Sequence, residues 1–353
     1  MISEVRTIKS ETSVINNKNI LVTGGAGYIG SHTLVTLIEK GYTPIVVDNL
    51  LNGNYIILDI VKTIINIKPK FYKGDIRDRA LLRKIFKENI IDSVIHFAGL
   101  KSVEDSVINP KQYYDNNING TSILLDAMDE SGVTKFIFSS SATVYGEPNY
   151  LPIDENHSRA ATNPYGETKL KVEDILISLA KNEPKWSITI LRYFNPIGAH
   201  DSGLIGEDTA SKPQNLMPFL TNVALGNINE LKIYGNDYPT HDGTGIRDYI
   251  HVVDLADGHH AALKHNNKNK GINFFNLGTG KGTSVLELLK IFEEVNKVKI
   301  PYSFAERRSG DVFSSFADVS KAKNILNWES KRNIKLMCED SWRWQIKNPN
   351  GYE

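Results

Sequence analysis

The stretch Asn19-Ile20-Leu21-Val22-Thr23-Gly24-Gly25-Ala26-Gly27-Tyr28-Ile29-Gly30-Ser31-His32 limits the folds open to this chain more than any other. A short apolar run ending in Thr23 reads as a buried strand. It leads straight into Gly24, Gly27 and Gly30, then into a helical pattern carried by Ile29, Leu34, Leu37 and Ile38. This glycine spacing is a variant of the dinucleotide-binding turn. Gly24 permits the tight turn, Gly27 lets the backbone approach a pyrophosphate, and Gly30 lets the helix pack close to its strand. The helix start offers free N–H groups and the positive end of its dipole to a phosphate. A second apolar strand, Pro44-Ile45-Val46-Val47, ends in Asp48. An acid at this distance accepts hydrogen bonds from adenosine ribose hydroxyls and repels a 2′-phosphate, so NAD is expected in preference to NADP. Three spaced glycines alone are a weak signal; strand, glycines, helix, strand and acid in that order are a specific one.

A chain of 353 residues calls for one large or two unequal domains. Its 41 basic residues balance its 41 acidic ones, which gives no support for nucleic acid or an anionic membrane as partner. No apolar run approaches the roughly 20 residues needed to span a bilayer. Residues 1–17 hold Glu4, Arg6, Lys9 and Glu11 without an apolar core; they are expected to be a frayed N-terminal extension rather than a secretory signal. The single cysteine, Cys338, suits a reducing compartment, and a cytoplasmic protein is expected.

Strand and helix patterns alternate from residue 18 to residue 195, which predicts an α/β fold built on a doubly wound parallel (Rossmann) sheet. Residues 103–131 read as helical, bent near Pro110. After Asn195 the chain is richer in Gly, Pro, Asn and Asp, and 196–353 are expected to form mainly a smaller domain that receives a second ligand. A segment near 250–262 is expected to return to the first domain. Ligands bind outside the carboxyl ends of strands in such sheets, where Asp48, Asp75, Phe97-Ala98-Gly99, Ser139–Ser141 and Asn195 fall. The nine histidines lack metal-ligand spacing; no metal is expected, and they read as surface residues.

Tyr165 and Lys169 stand at i and i+4, on one face of a helix starting near Asn163. A free phenol, with pKa about 10, is a poor base near neutrality. A neighbouring Lys⁺ and an oxidised nicotinamide both favour the phenolate, so Tyr165 is expected to titrate low enough to act as a base. Ser141 is placed to hydrogen-bond a sugar hydroxyl.

Here the chain resembles a known family. Thr23–His32, His96-Phe97-Ala98-Gly99-Leu100-Lys101, Ser139-Ser140-Ser141-Ala142-Thr143-Val144-Tyr145-Gly146, Asn163-Pro164-Tyr165-Gly166-Glu167-Thr168-Lys169 and Leu191-Arg192-Tyr193-Phe194-Asn195-Pro196 are similar to motifs of the UDP-glucose 4-epimerases. So are Asn215-Leu216-Met217-Pro218, Gly245–Val252, Arg308-Ser309-Gly310-Asp311, Trp342-Arg343-Trp344-Gln345 and Asn348-Pro349-Asn350-Gly351-Tyr352. These are extended short-chain dehydrogenases/reductases, and the resemblance runs in order from about residue 18 to the C-terminus.

The resemblance implies interconversion of UDP-glucose and UDP-galactose through a 4-keto sugar, with a tightly held NAD. Tyr165 would take the proton of the sugar 4-hydroxyl, Lys169 would bridge the nicotinamide ribose, and Ser141 would hold the 4-oxygen. Besides Gly24, Gly27, Tyr28, Ile29 and Gly30, it places Asp48, Asn49, Asp75 and Ile76 along the cofactor. Phe97, Ala98, Gly99, Lys101, Asn116, Ser139 and Tyr193 join them there. Phe194, Asn195, Asn215, Leu216 and Tyr234 match substrate-contacting positions, as do Arg247, Arg308 and Asp311, the arginines suiting phosphate oxygens. Ser315 falls at a position that gates the sugar 2-substituent, and its small size leaves room for an acetamido group. A homodimer formed through the 103–131 region and the Tyr165 helix is also implied. Related 4,6-dehydratases carry an acid and a base where this chain has Ala142 and Thr143, so elimination is disfavoured. A uronate epimerase and a non-catalytic NAD-binding scaffold remain as alternatives, although scaffolds of this kind typically lose the Tyr or the Lys. The basic residues expected after Asn49 are replaced by Asn54-Tyr55-Ile56, a departure that touches the adenine side.

Overall fold

Ile20, Leu21 and Val22 are wholly apolar and fully buried, so the strand they form sits mid-sheet with parallel neighbours on both sides. The computed structural model describes residues 18–208, 213, 215–308 and 310–352; the extension expected over 1–17 lies outside the described residues. Six strands alternate with helices in the first part of the chain: β1 (Asn19–Thr23), β2 (Thr43–Asp48), β3 (Lys70–Lys73), β4 (Ile91–His96), β5 (Lys135–Ser141) and β6 (Ser187–Tyr193). Between them run α1 (Tyr28–Glu39), α2 (Ile56–Ile65), α3 (Arg79–Glu88), α4 (Val103–Ile108), α5 (Pro110–Tyr113), α6 (Gly120–Glu130) and α7 (Pro164–Asn182). Asn163 caps α7 through its side chain and Pro164 occupies its first turn, where a missing N–H costs nothing. The helical region expected over 103–131 breaks at Asn109, ahead of Pro110, and widens to a π-helical turn over Tyr114–Asn119 before α6 begins.

The chain then leaves this body with β7 (Asn195–Ile197), α8 (Leu216–Leu225), β8 (Leu231–Tyr234) and β9 (Ile246–His251). It returns with α9 (Val252–Asn266), which packs on α1, and β10 (Gly271–Leu277), which pairs with β6. The seven-stranded sheet is parallel throughout, in the order β3-β2-β1-β4-β5-β6-β10. The return expected near 250–262 thus continues through β10, whose Phe275 and Leu277 are fully buried. Helices cover both faces, with one apolar cluster around Ile20, Leu34 and Leu255 and another around Leu21, Leu82, Leu124 and Leu176.

The smaller lobe is completed by β11 (Gly282–Ser284), α10 (Val285–Asn296), β12 (Tyr302–Ala305), β13 (Ser314–Ser315) and α11 (Ile334–Lys347). Its own core gathers Met217, Leu220, Ile233, Leu288, Phe292 and Met337. Ala322, Leu326 and Trp328 pack back into the cluster beside β1.

Candidate active site

The order of strands reverses at β1, which pairs with β2 on one side and β4 on the other, and a cavity of about 370 Å³ opens at their carboxyl ends. Gly24 makes the turn with φ +70°, and a Cβ there would lie 2.7 Å from the Ala98 nitrogen; only glycine allows β1 and β4 to end so close together. A Cβ on Gly30 would stand 2.4 Å from the Gly24 carbonyl, which is how α1 seats against its own turn. No side chain caps the start of α1 at Gly27. Asp48 accepts from the Ala26 amide at 3.0 Å and the Leu50 amide at 2.8 Å, and burial pushes its carboxyl up. Each oxygen keeps a lone pair for a further donor.

Gly24, Gly27, Tyr28, Ile29 and Gly30 line this cavity with Asp48, Asn49 and Ile76. Phe97, Ala98, Gly99, Lys101, Asn116 and Tyr193 line it from the other side. Asp75 is not among the lining residues: Arg77 grips its carboxylate with paired bonds of 2.8 and 2.9 Å, and Asn49 donates to it at 3.0 Å. That bond holds Asn49 beside Asp75. Ser139 also stands back; its carbonyl accepts from Lys169 Nζ at 2.8 Å.

Tyr165 and Lys169 line the cavity from α7, and Ser141, at the end of β5, lies close enough to the Tyr165 phenol to favour its ionised form. Ser141 also accepts from the Thr143 amide at 3.2 Å. Lys169 and an oxidised nicotinamide were together expected to lower the Tyr165 pKa; with the protein's own groups alone, burial pushes the phenol up to about 12, opposed only by Ser141. Lys169 Nζ lies 6.0 Å from the Tyr165 ring centre and spends its charge on the Ser139 carbonyl. Burial brings Lys169 down to about 8, opposed by the Glu173 carboxylate one turn along α7.

The residues expected to hold a second ligand divide. Asn215 reaches the cavity, and Leu216 opens α8. Phe194 is packed with Val144, Tyr145, Ile153 and Ala317, while Asn195 starts β7 in the open. The others form a connected group in the smaller lobe. Arg308 stacks over the Tyr234 ring at 3.9 Å, the Asp311 amide donates to the Arg308 carbonyl at 3.3 Å, and Asp311 pairs with Arg247. Ser315 lies beside Arg247 across β13 and β9. A Cβ on Gly310 would sit 3.8 Å from the Thr162 carbonyl, so this group abuts the approach to Tyr165.

Several contributors were invisible in the residue pattern. Asn117, on the π-helical turn, bonds both backbone groups of Leu100 and donates to Thr168 at 2.9 Å, tying the end of β4 to α7. The histidines are the clearest correction: His32, His96, His157, His251 and His259 are buried, because each finds partners inside. Thr121 gives its proton to the Asn117 carbonyl at 2.6 Å, so it accepts from His96 Nε2 at 2.9 Å. His96 Nδ1 then accepts from Thr23 at 2.6 Å. His259 donates to the Leu255 carbonyl and accepts from Ser139 at 2.6 Å. Burial lowers His96 to about 3 and His259 to about 4, so both stay neutral. Glu207, which pairs with Lys101 at 3.2 Å across the cavity, and Tyr352 also line the site.

A family model described as GDP-mannose 4,6 dehydratase matches residues 21–341. The UDP-glucose 4-epimerase of Bacillus subtilis is 55% identical over 334 residues, covering 95% of this chain and 98% of the relative. The chain belongs to the UDP-glucose 4-epimerase family. Solved UDP-glucose 4-epimerases share its fold: that of Stenotrophomonas maltophila, with bound NAD and formylated UDP-arabinopyranose, has a TM-score of 0.93, 46% identity, and covers 94% of this chain and 99% of its own. That of Bifidobacterium longum, in complex with NAD+ and UDP, has a TM-score of 0.92, 50% identity, and covers 95% and 100%. The dinucleotide expected in a UDP-glucose 4-epimerase fits the residues present: a helix start without a side-chain cap, a cradle closed to any Cβ at Gly24, and lone pairs on Asp48.

Proposed function

We infer that this protein interconverts UDP-glucose and UDP-galactose by inverting the sugar at C4, with NAD held in the cavity beside the glycine turn. The observation that carries this reading is that Tyr165 and Lys169 line that cavity together, with Ser141 next to the Tyr165 phenol. NAD held there would supply the acceptor and donor of the C4 hydride, and a positive charge near the phenol. Tyr165 accepts the 4-hydroxyl proton and gives it back. Ser141, beside that phenol, orients the 4-oxygen. Lys169, anchored on the Ser139 carbonyl, holds the ribose and keeps a cation beneath Tyr165. Glycine-turn amides take the pyrophosphate, and Asp48 takes the ribose hydroxyls.

Arg247 and Arg308 hold the UDP phosphates, with Asn195, Asn215, Leu216, Tyr234 and Asp311 around them and Phe194 supporting from below. Asp75 and Ser139 act through Asn49 and Lys169. Ala142 and Thr143 carry no titratable group, which supports epimerisation over elimination. Purified protein without added NAD converts UDP-galactose to UDP-glucose; no turnover even with NAD supplied would overturn the reading.

Ser315 admits N-acetylated sugars, so UDP-GalNAc turns over as well. The Ser315→Tyr variant loses that second activity by at least tenfold and keeps the first; equal loss of both would remove the gate. A second copy of the chain covers Val103, Val107, Ile108 and Tyr114, exposed apolar side chains that share one stretch of α4 to the π-helical turn. Sedimentation velocity is expected to show a dimer that Ile108→Glu converts to monomer, and a monomeric parent protein would refute this pairing. No helix among the described residues is long and apolar enough to cross a membrane, and a single buried cysteine suits the cytosol.

A further inference from the structure

Asn54 stands where basic residues were expected, and the last described residue of the chain meets it. Its side-chain nitrogen donates to the Tyr352 carbonyl at 3.2 Å, while its side-chain oxygen caps the start of α2 by accepting from the Ile56 amide at 3.1 Å. Its backbone amide donates to the Ala26 carbonyl at 3.2 Å, and a Cβ on Gly53 would lie 2.9 Å from that same oxygen. Asn54 is therefore seated directly on the glycine turn.

Tyr352 reaches in the other direction. Its hydroxyl accepts from the Gly206 amide at 3.0 Å and donates to the Gly206 carbonyl at 3.1 Å. Its ring meets Trp344 edge-on, with centroids 5.7 Å apart. Asn348, just before it, donates to the Gly203 carbonyl at 3.1 Å. One residue thus spans from the wall carrying the glycine turn to the wall carrying Glu207, and Asn54, Gly206 and Tyr352 all line the same cavity.

We propose that Asn54 and Tyr352 form a clasp across the dinucleotide cavity and that its opening limits release of NAD. The proposal rests on the reading of that cavity as the seat of NAD. The two walls belong to segments far apart in sequence, so while the clasp holds, a molecule lying between them cannot leave by their separating. Lys101–Glu207 is a second tie across the cavity, but a half-exposed ion pair of this kind contributes little on its own. The Tyr352 hydroxyl is different: burial pushes its pKa well up, and it makes both of its bonds to backbone.

The test uses two variants. Tyr352→Phe removes the hydroxyl and keeps the ring on Trp344. Asn54→Asp keeps an oxygen to cap Ile56 and removes the donor to Tyr352. Full-length protein is loaded with NAD, and released NAD is trapped by reduction with an excess of alcohol dehydrogenase and ethanol. Each variant is expected to release NAD about three- to tenfold faster than the parent, the range one lost hydrogen bond gives, with UDP affinity by calorimetry unchanged within about twofold. Release at the parent rate in both variants overturns the clasp and leaves the functional reading standing. Faster release with an equal loss of UDP affinity also overturns it, as general loosening. If Tyr352→Phe does not fold, Asn54→Asp decides alone. A parent protein that neither carries nor takes up NAD overturns the functional reading and the clasp together.

Discussion

Tyr165→Phe lowers kcat by about 10²- to 10⁴-fold, the range that a positioned acid–base group supplies. The ring of Tyr165 packs with Leu100 and Tyr113, and phenylalanine preserves that contact, so the variant folds. What it loses is the hydroxyl beside Ser141 that would carry the sugar proton. Because the loss falls on a step rather than on ground-state binding, KM for UDP-galactose stays within a few-fold while kcat collapses. Steady-state kinetics with UDP-galactose and a coupled readout of UDP-glucose check this. Retention of kcat within tenfold would assign the proton to another group. The phenol's high pKa is set by burial, so the positive charge of a bound oxidised nicotinamide would have to draw it down before Tyr165 acts as a base.

The second large effect lies behind the site. Glu173 and Arg192 form an ion pair with almost no exposure on either side. Arg192 donates to Glu173 at 2.7 and 3.0 Å, Ser140 donates to Glu173 at 2.7 Å, and the Arg192 guanidinium also reaches the Tyr145 hydroxyl at 3.0 Å. Tyr145 in turn donates to Asn276 at 2.6 Å. These bonds tie β5, α7, β6 and β10 together. Glu173→Gln leaves the guanidinium charged, buried and unmatched, and is expected to cost about 3–5 kcal/mol of stability, read as a lowered urea midpoint. The double variant Glu173→Gln with Arg192→Met recovers most of that loss, since the stranded charge is gone. A single-variant cost below about 1 kcal/mol, the value of an exposed pair, would refute the argument. The same substitution reaches the chemistry, because Glu173 is the carboxylate that favours the protonated Lys169. Without it, the lysine loses its proton at lower pH.

The parts of this arrangement that were legible in the sequence are those set by local constraints. Gly24 takes a left-handed φ of +70° and a Cβ on Gly30 would strike the Gly24 carbonyl, while Tyr165 and Lys169 share a face because a helix has 3.6 residues per turn. The alternation of apolar strands with helices was enough to anticipate the parallel sheet. What could not be read depends on partners far away in the chain. His96 and His259 look like surface histidines until Thr23, Thr121 and Ser139 are brought against them. Asn117 gains its position from a π-helical turn that no periodicity announces, and Glu207 and Tyr352 come to the cavity from segments with no nucleotide-binding pattern at all.

The path of the chain between the lobes has a consequence for how the molecule can move. The backbone leaves the sheet after β6, returns with α9 and β10, leaves again for β11 to β13, and comes back at Ala322 to Trp328. It departs once more as α11 and brings Tyr352 against Asn54. Two bodies sewn together by this many stitches are poorly suited to swing apart like the jaws of a hinge. Traffic of sugar nucleotides therefore falls to short local segments at the rim. The lacing also makes the dinucleotide half a poor candidate for excision: cut after Asn195, it would expose the flank of β6 and strip α1 of the helix that shields it.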